Sequence, residues 1–232
     1  MSPASRASWP ELVIFDCDGV LVDSETISIG VMVDILAASG VTISEELAYE
    51  RFLGRSIASV NEILRTDFDL VIADKDLESA RALLHARFRS DLKPIAGITE
   101  TLLRLKAPRC VASSGHPDRI RLSLALTGLL ELLEPHIYSA TMVARGKPEP
   151  DLFLHAARDM GADPAACIVI EDSPAGVDAA RRAGMHVFAF TGGSHAARAA
   201  LLAELARRRP DLIFSDMRQL PDLIAAAQER TC

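Results

Sequence analysis

The chain has 232 residues, 49% of them hydrophobic and 25% charged, the balance of a folded protein with a sizeable core and not of a disordered one. With 25 Lys+Arg against 32 Asp+Glu the net charge is -7, which disfavours nucleic acid and anionic membrane as partners. The densest basic run, Arg207-Arg208-Arg209, reads as a solvated helix end where cations offset the negative pole of the dipole, and no apolar segment is long enough to span a bilayer.

Met1–Pro10 lacks the apolar stretch of a signal peptide, and the residues before Trp9 are expected to fray. Four cysteines (Cys17, Cys110, Cys167 and Cys232) form no CxxC pair and no Cys/His cluster of zinc spacing. Three of them lie in or beside apolar runs, as small buried hydrophobes do. The expectation is a reduced, cytoplasmic protein that acts as a monomer, with no nucleic acid and no membrane as partner.

In chain order, Glu11–Phe15 is a short apolar run that reads as a buried parallel strand ending at Asp16. From Ser24 to about Lys93 the pattern is mostly helical: Thr26–Ser39, Ser44–Phe52, Ile57–Thr66 and Lys75–Phe88. Such a block placed directly after the first strand reads as an inserted domain, with Lys93-Pro94-Ile95-Ala96-Gly97 as its return linker. Predicted helices at Ile98–Leu105, Pro117–Leu126, Pro150–Met160, Ala175–Ala183, Ala196–Arg207 and Pro221–Gln228 then separate most of the predicted strands. These are Arg109–Ala112, Cys167–Ile170, His186–Phe190 and Leu212–Phe214. The richest apolar stretch, Leu122–Leu133, reads as core-facing helix. The alternation implies right-handed βαβ units, an α/β fold and an open parallel sheet.

Four short segments carry chemistry. In Asp16-Cys17-Asp18-Gly19 two acids stand two residues apart where a strand runs out; in near-extended backbone they point the same way, and ligands bind outside the carboxyl ends of such strands. Two acids this close call for a shared proton or a divalent metal. Glu171-Asp172 ends a second apolar strand, and Ser173-Pro174 can open the next helix. In Gly146-Lys147-Pro148-Glu149-Pro150 the prolines stiffen the approach of a lysine that can neutralise phosphoryl oxygens. Ser113-Ser114-Gly115 offers hydroxyl and backbone N–H donors to an anion. Each has a plainer reading, as a solvated turn, a helix cap or a loop lysine. Taken together, they put four acids, a lysine and hydroxyls at one edge of a parallel sheet, an all-oxygen setting suited to a hard ion and a phosphate.

In that order, DCDGVLVDSE, VASSG, ARGKPEPD and IEDSPAGVDAARRAGM resemble the four motifs of the haloacid dehalogenase-like hydrolases. More narrowly they are similar to the branch that holds β-phosphoglucomutase and phosphoglycolate-type phosphatases, and the likeness runs from Glu11 onward. The resemblance implies a Rossmann-like core of residues 10–23 and 94–232 and an α-helical cap of residues 24–93. It implies Asp16 as nucleophile, Asp18 as acid and base, and Ser113, Ser114 and Lys147 as phosphate ligands. Mg²⁺ would be held among Asp16, Asp18 (through its backbone carbonyl), Asp172 and the nearby Glu171. Arg55, beside Gly54, is a possible substrate contact. Ser28 stands where the mutase carries a cap histidine and Ile57 where it carries an arginine. The expected activity is therefore hydrolysis of a small phosphorylated metabolite, a sugar phosphate or sugar-acid phosphate, through an aspartyl-phosphate. The alternatives are a sugar phosphomutase and a non-catalytic phosphate-binding regulatory protein.

Overall fold

A computed structural model describes residues 9–55, 57–71 and 74–231. Strand β1 (Leu12–Phe15) is followed by four helices, α1 (Glu25–Ala38), α2 (Glu45–Phe52), α3 (Ile57–Asp67) and α4 (Asp74–Asp91). Then come α5 (Ile98–Arg104), β2 (Arg109–Ser113), α6 (Pro117–Leu126), α7 (Leu130–Leu133), β3 (Ile137–Ser139) and α8 (Asp151–Asp159). The chain ends with β4 (Cys167–Glu171), α9 (Pro174–Arg182), β5 (His186–Phe190), α10 (Ala199–Arg207), β6 (Leu212–Phe214) and α11 (Leu220–Thr231). Among the described residues no helix is long and apolar enough to cross a membrane.

The strands form one sheet in the order β3-β2-β1-β4-β5-β6, every neighbouring pair parallel. This is the Rossmann-like α/β architecture. The chain winds outward from β1 to β3, then returns to lay β4 on the other side of β1. The connections on the two sides run to opposite faces, which opens a crevice at the carboxyl ends of β1 and β4. Register sharpens the placement: Phe15 pairs with Val111 on one side and Ile170 on the other, so Asp16, Ser113 and Glu171 finish at nearly one level.

Period-2 alternation sends successive side chains of each strand to opposite faces. Leu12 and Ile14 join Phe153, Val177 and Leu201 in one buried layer, while Val13 and Phe15 join Leu102, Ile120 and Ile224 in the other. β1 is buried along its whole length, which is why it reads as an unbroken apolar run.

The helical segment leaves and rejoins the core at one place. Val22 and Pro94 form an antiparallel bridge, the amide of Asp23 donates to the carbonyl of Lys93 at 2.9 Å, and the amide of Ile95 donates to that of Leu21 at 3.0 Å. Its apolar side chains, among them Ile29, Leu36, Tyr49 and Phe52, are continuous with the first of the two core layers.

Two expectations are corrected. Leu122–Leu133 is not one helix: α6 stops in a Schellman turn, with Gly128 at φ 71 and the amide of Leu129 bonded to the carbonyl of Leu124 at 2.8 Å. α7 then starts afresh, and both pieces still bury leucines. β3 was not anticipated. Its three residues, Ile137, Tyr138 and Ser139, are too few to carry an alternation signal.

Candidate active site

The site is built where β1, β2 and β4 run out. Asp16 follows β1 directly and its amide still donates to the carbonyl of Ile170 at 3.0 Å, so the nucleophile candidate is held by sheet pairing. After it the chain turns tightly: the amides of Leu21 and Val22 both reach the carbonyl of Cys17. Gly19, at φ 75, makes that turn possible, and it is also the point of closest approach. A Cβ there would lie 1.8 Å from Oδ2 of Asp172, so a bare backbone is what lets Asp172 reach the centre.

Lys147 comes in from the segment before α8 and is buried, with its ammonium over the ring of Phe153. Its Nζ donates to Oδ1 of Asp16 and to Oε1 of Glu171, both at 2.5 Å. The other oxygen of Glu171 accepts from the amides of Asp172 and Ser173 and from the Ser173 hydroxyl, at 2.8–2.9 Å. Glu171 is thus committed to holding the lysine and the loop, with both of its oxygens already accepting hydrogen bonds. Ser173 caps α9 by accepting from the amide of Gly176 at 3.1 Å, and Pro174 opens the first turn.

Asp18 faces the same crevice. The guanidinium of Arg119, in the first turn of α6, donates from Nη1 to Oδ1 at 2.8 Å and from Nη2 to Oδ2 at 2.5 Å. The Ser24 hydroxyl adds a bond to Oδ1 at 2.6 Å. Burial pushes the Asp18 carboxyl up, but the Arg119 charge and these hydrogen bonds outweigh it and hold the group below the usual carboxylate range. Asp16 and Asp172 go the other way. Burial pushes both well above the usual range; around Asp16 the neighbouring acids add to it, and Lys147 pulls back only in part.

Ser113 is buried, and its hydroxyl oxygen accepts from the amide of Gly115 at 3.1 Å, which leaves the O–H proton for another acceptor. Ser114 is placed differently from a pure phosphate ligand: its hydroxyl donates to the carbonyl of Gly54 at 3.0 Å and ties the core to the helical segment. Gly54 also packs on Ser173, whose Oγ would lie 2.3 Å from a Cβ at that position. Arg55 is exposed and lines the cavity described next. The backbone of Ile57 begins α3, but its side chain lies outside the described residues.

A cavity of about 160 Å³ opens between the strand ends and the helical segment. Asp16 and Asp18 are at its floor, Ile29, Met32, Phe52 and Val60 form an apolar wall, and Arg55, Arg81 and Arg119 supply cations. Ser28 lines it as well, with its buried Oγ free of any hydrogen-bond partner among the described residues.

No three His, Cys, Asp or Glu side chains among the described residues already form a closed metal cage. The donors nonetheless fit Mg²⁺, which takes one or two carboxylates and fills its remaining positions with water and substrate phosphate. Both oxygens of Asp172 are buried without a hydrogen-bond partner, and a buried carboxylate in that state calls for a cation.

Reasoning on the sequence missed several groups here. Arg119, Ser24 and Glu25 carry no motif of their own, although Ser24 and Glu25 close the DCDGVLVDSE segment. His195 is fully buried with Nε2 2.9 Å from Oδ2 of Asp172, though not aligned as a hydrogen bond. Burial lowers its pKa. The Gly192-Gly193-Ser194 run after β5 was the available signal for it. Glu25 is buried on the cavity wall, and burial, then the charges of Asp18 and Asp172, push its carboxyl well above the usual range.

Comparison with known proteins identifies the family. A family model described as haloacid dehalogenase-like hydrolase matches residues 10–184. The 6-phosphogluconate phosphatase of Escherichia coli K12 is 33% identical over 186 residues, covering 80% of this chain and 84% of that protein. A conserved haloacid dehalogenase-like protein of Agrobacterium tumefaciens C58 superposes with TM-score 0.79 at 38% identity, over 94% of this chain and 98% of that one. A hydrolase of the same family from Deinococcus radiodurans R1, solved with bound phosphate and sodium, gives TM-score 0.72 at 32% identity over 95% and 97% of the two chains. The chain belongs to the haloacid dehalogenase-like hydrolase family, as an enzyme of the phosphoric monoester hydrolase kind.

Proposed function

We propose that this enzyme removes phosphate from a small phosphorylated metabolite, a sugar phosphate or sugar-acid phosphate, through an aspartyl-phosphate on Asp16. The observation that carries the reading is the buried Asp16 carboxylate at the switch point of the sheet, 2.5 Å from Lys147 and two residues before a second acid. An Asp16 oxygen attacks phosphorus as the ester P–O bond breaks, and Asp18, once released from Arg119 and protonated from solvent, gives that proton to the departing oxygen. In the second half, Asp18 takes a proton from the water that attacks the same phosphorus, and the bond to Asp16 breaks. Lys147, with the hydroxyl of Ser113, holds the phosphoryl oxygens, while the Ser114 hydroxyl stays on the carbonyl of Gly54. Glu171 keeps the lysine on station.

Asp16, Asp172 and the backbone carbonyl of Asp18 would hold Mg²⁺. When bound, the ion offsets the repulsion between an anionic nucleophile and an anionic substrate. The helical segment, residues 24–93, acts as a cap whose apolar and cationic walls select the leaving group, Arg55 among them. The similarity to a 6-phosphogluconate phosphatase supports a sugar-acid phosphate as substrate class. The enzyme works as a cytoplasmic monomer and needs neither nucleic acid nor membrane. A panel of sugar phosphates, sugar-acid phosphates and nucleotides, assayed for phosphate release with and without Mg²⁺, tests the reading; turnover confined to nucleotides, or none at all, would overturn it.

A further inference from the structure

Both oxygens of Asp18, the group given the proton-transfer work above, are taken up by the two prongs of Arg119. One of them also accepts from Ser24. Asp18 can serve a leaving oxygen only after that fork opens. A guanidinium in a nearly closed site does not leave one carboxylate for nothing. It leaves when another planar anion offers two oxygens in the same geometry.

The position of Arg119 limits where such an anion can come from. Its side chain is 18% exposed, and the exposed part faces the cavity. The phosphoryl position lies against Asp16 and Lys147, so Arg119 and the wall arginines, Arg55 and Arg81, face the remainder of the substrate. Gly115 lies directly over the guanidinium: a Cβ there would stand 2.5 Å from Nη2. The bare backbone at that point leaves the fork space to turn.

We infer that Arg119 is the specificity-determining residue for a carboxylate on the leaving group, and that this carboxylate takes the guanidinium over from Asp18. The inference rests on the phosphatase reading. No covalent bond changes in the exchange: one ion pair opens, another closes, and Asp18 is left facing the ester oxygen. A substrate with no second anion leaves the fork on Asp18 and turns over slowly.

The test is a matched pair of substrates, 6-phosphogluconate and glucitol 6-phosphate, which differ only in a carboxylate against a hydroxymethyl group at the end remote from phosphate. Wild type is expected to favour the acid in kcat/KM by roughly 10-fold or more, the scale of a hydrogen bond to a charged group. Arg119→Gln should bring the ratio close to one, as the acid loses its partner and the polyol phosphate is relieved of the fork on Asp18, and Arg119→Lys should restore part of the preference. Should Arg119→Gln turn over too slowly, calorimetric binding of both ligands to Asp16→Asn with and without Arg119→Gln reads the same ratio. Should it fail to fold, the lysine variant alone must still lower the acid preference severalfold. Equal kcat/KM for the two substrates in wild type overturns the inference. So does an equal loss for both in the variants, which would make Arg119 a lock on Asp18 or a phosphoryl contact. Phosphate release without preference sinks Arg119 alone; no release from either compound or from p-nitrophenyl phosphate sinks the hydrolase reading.

Discussion

The ammonium of Lys147 and the carboxylate of Asp16 meet at 2.5 Å with both side chains almost fully buried. A pair like this is costly to break from one side, because the survivor is left as an uncompensated buried charge. Glu171 shares the same ammonium, so two acids lose their partner at once. Lys147→Met is therefore expected to lose about 3–5 kcal/mol of stability, measured by urea unfolding. It should lose phosphatase activity as well.

Asp16→Asn makes a different prediction. The amide keeps the shape, and Lys147 keeps Glu171 as a partner, so the fold should persist with a native circular dichroism spectrum. Turnover should fall by at least about 10³-fold, since removing a covalent nucleophile leaves only binding and electrostatics. Activity near that of wild type would remove Asp16 from its role.

Activity is expected to require Mg²⁺ and to vanish with EDTA. The orphaned oxygens of Asp172 and the raised pKa values of Asp16 and Asp172 are the motive, because a cation relieves both burial and mutual repulsion. Calcium should bind without supporting turnover, as it tolerates looser coordination. The check is phosphate release against metal concentration, alongside direct calorimetric titration of Mg²⁺ into Asp172→Asn, which should bind more weakly.

Glu25 gives a stability prediction whose sign follows from linkage. Its folded pKa is raised, so between the unfolded and folded values the native state binds the extra proton. Stability from this group is then full below the unfolded carboxylate range and declines as pH rises toward the folded value. Glu25→Gln removes that decline. The variant should match wild type at acid pH and exceed its Tm at pH 7–8 by about 2 °C or more. A lower Tm across the whole range would show that ionised Glu25 is a stabilising partner.

Phosphatase and mutase share the first half-reaction and part at the fate of the aspartyl-phosphate. A mutase must exclude water and retain a bisphosphate while it turns over. Ser28 brings only a small hydroxyl to the cavity wall, where the mutase has a histidine. Free phosphate should be the main product from any good substrate. β-Glucose 1-phosphate with a bisphosphate primer should give little glucose 6-phosphate in a coupled dehydrogenase assay. Glucose 6-phosphate formed faster than phosphate would reverse this assignment.

What was legible in the sequence was whatever local pattern encodes. β1, β4 and β5 are apolar runs because both faces are covered, and the acids at the ends of β1 and β4 stand out because a buried strand has no other reason to end in them. Lys147 was legible through the two prolines beside it. What was not legible depends on chain ends meeting in space. Arg119 is 101 residues from Asp18, and nothing in Pro117–Leu126 marks one arginine of a solvated helix as the one that turns inward. His195 meets Asp172 only because Gly19 gives way between them. Ser114 reads as an anion donor until Gly54 arrives from the helical segment to take its hydrogen.

The single doorway through which the helices α1–α4 leave and rejoin the core bears on how such an enzyme can be altered. With Val22 bridged to Pro94, the ends of the insertion are pinned side by side whatever lies between them. Closing a longer or shorter excursion from a pinned stem changes chain entropy by only about 0.6 kcal/mol per doubling of length. The groups assigned to the chemistry, Asp16, Asp18, Lys147 and Asp172, all lie outside that excursion, while much of the cavity's apolar wall lies within it. Apart from Arg119 in α6, the side chains proposed to meet the substrate beyond its phosphate thus lie on a different stretch of chain from those proposed for the chemistry. A lineage, or an engineer, can graft a foreign excursion at this doorway and explore new substrates while the reacting centre stays as it is.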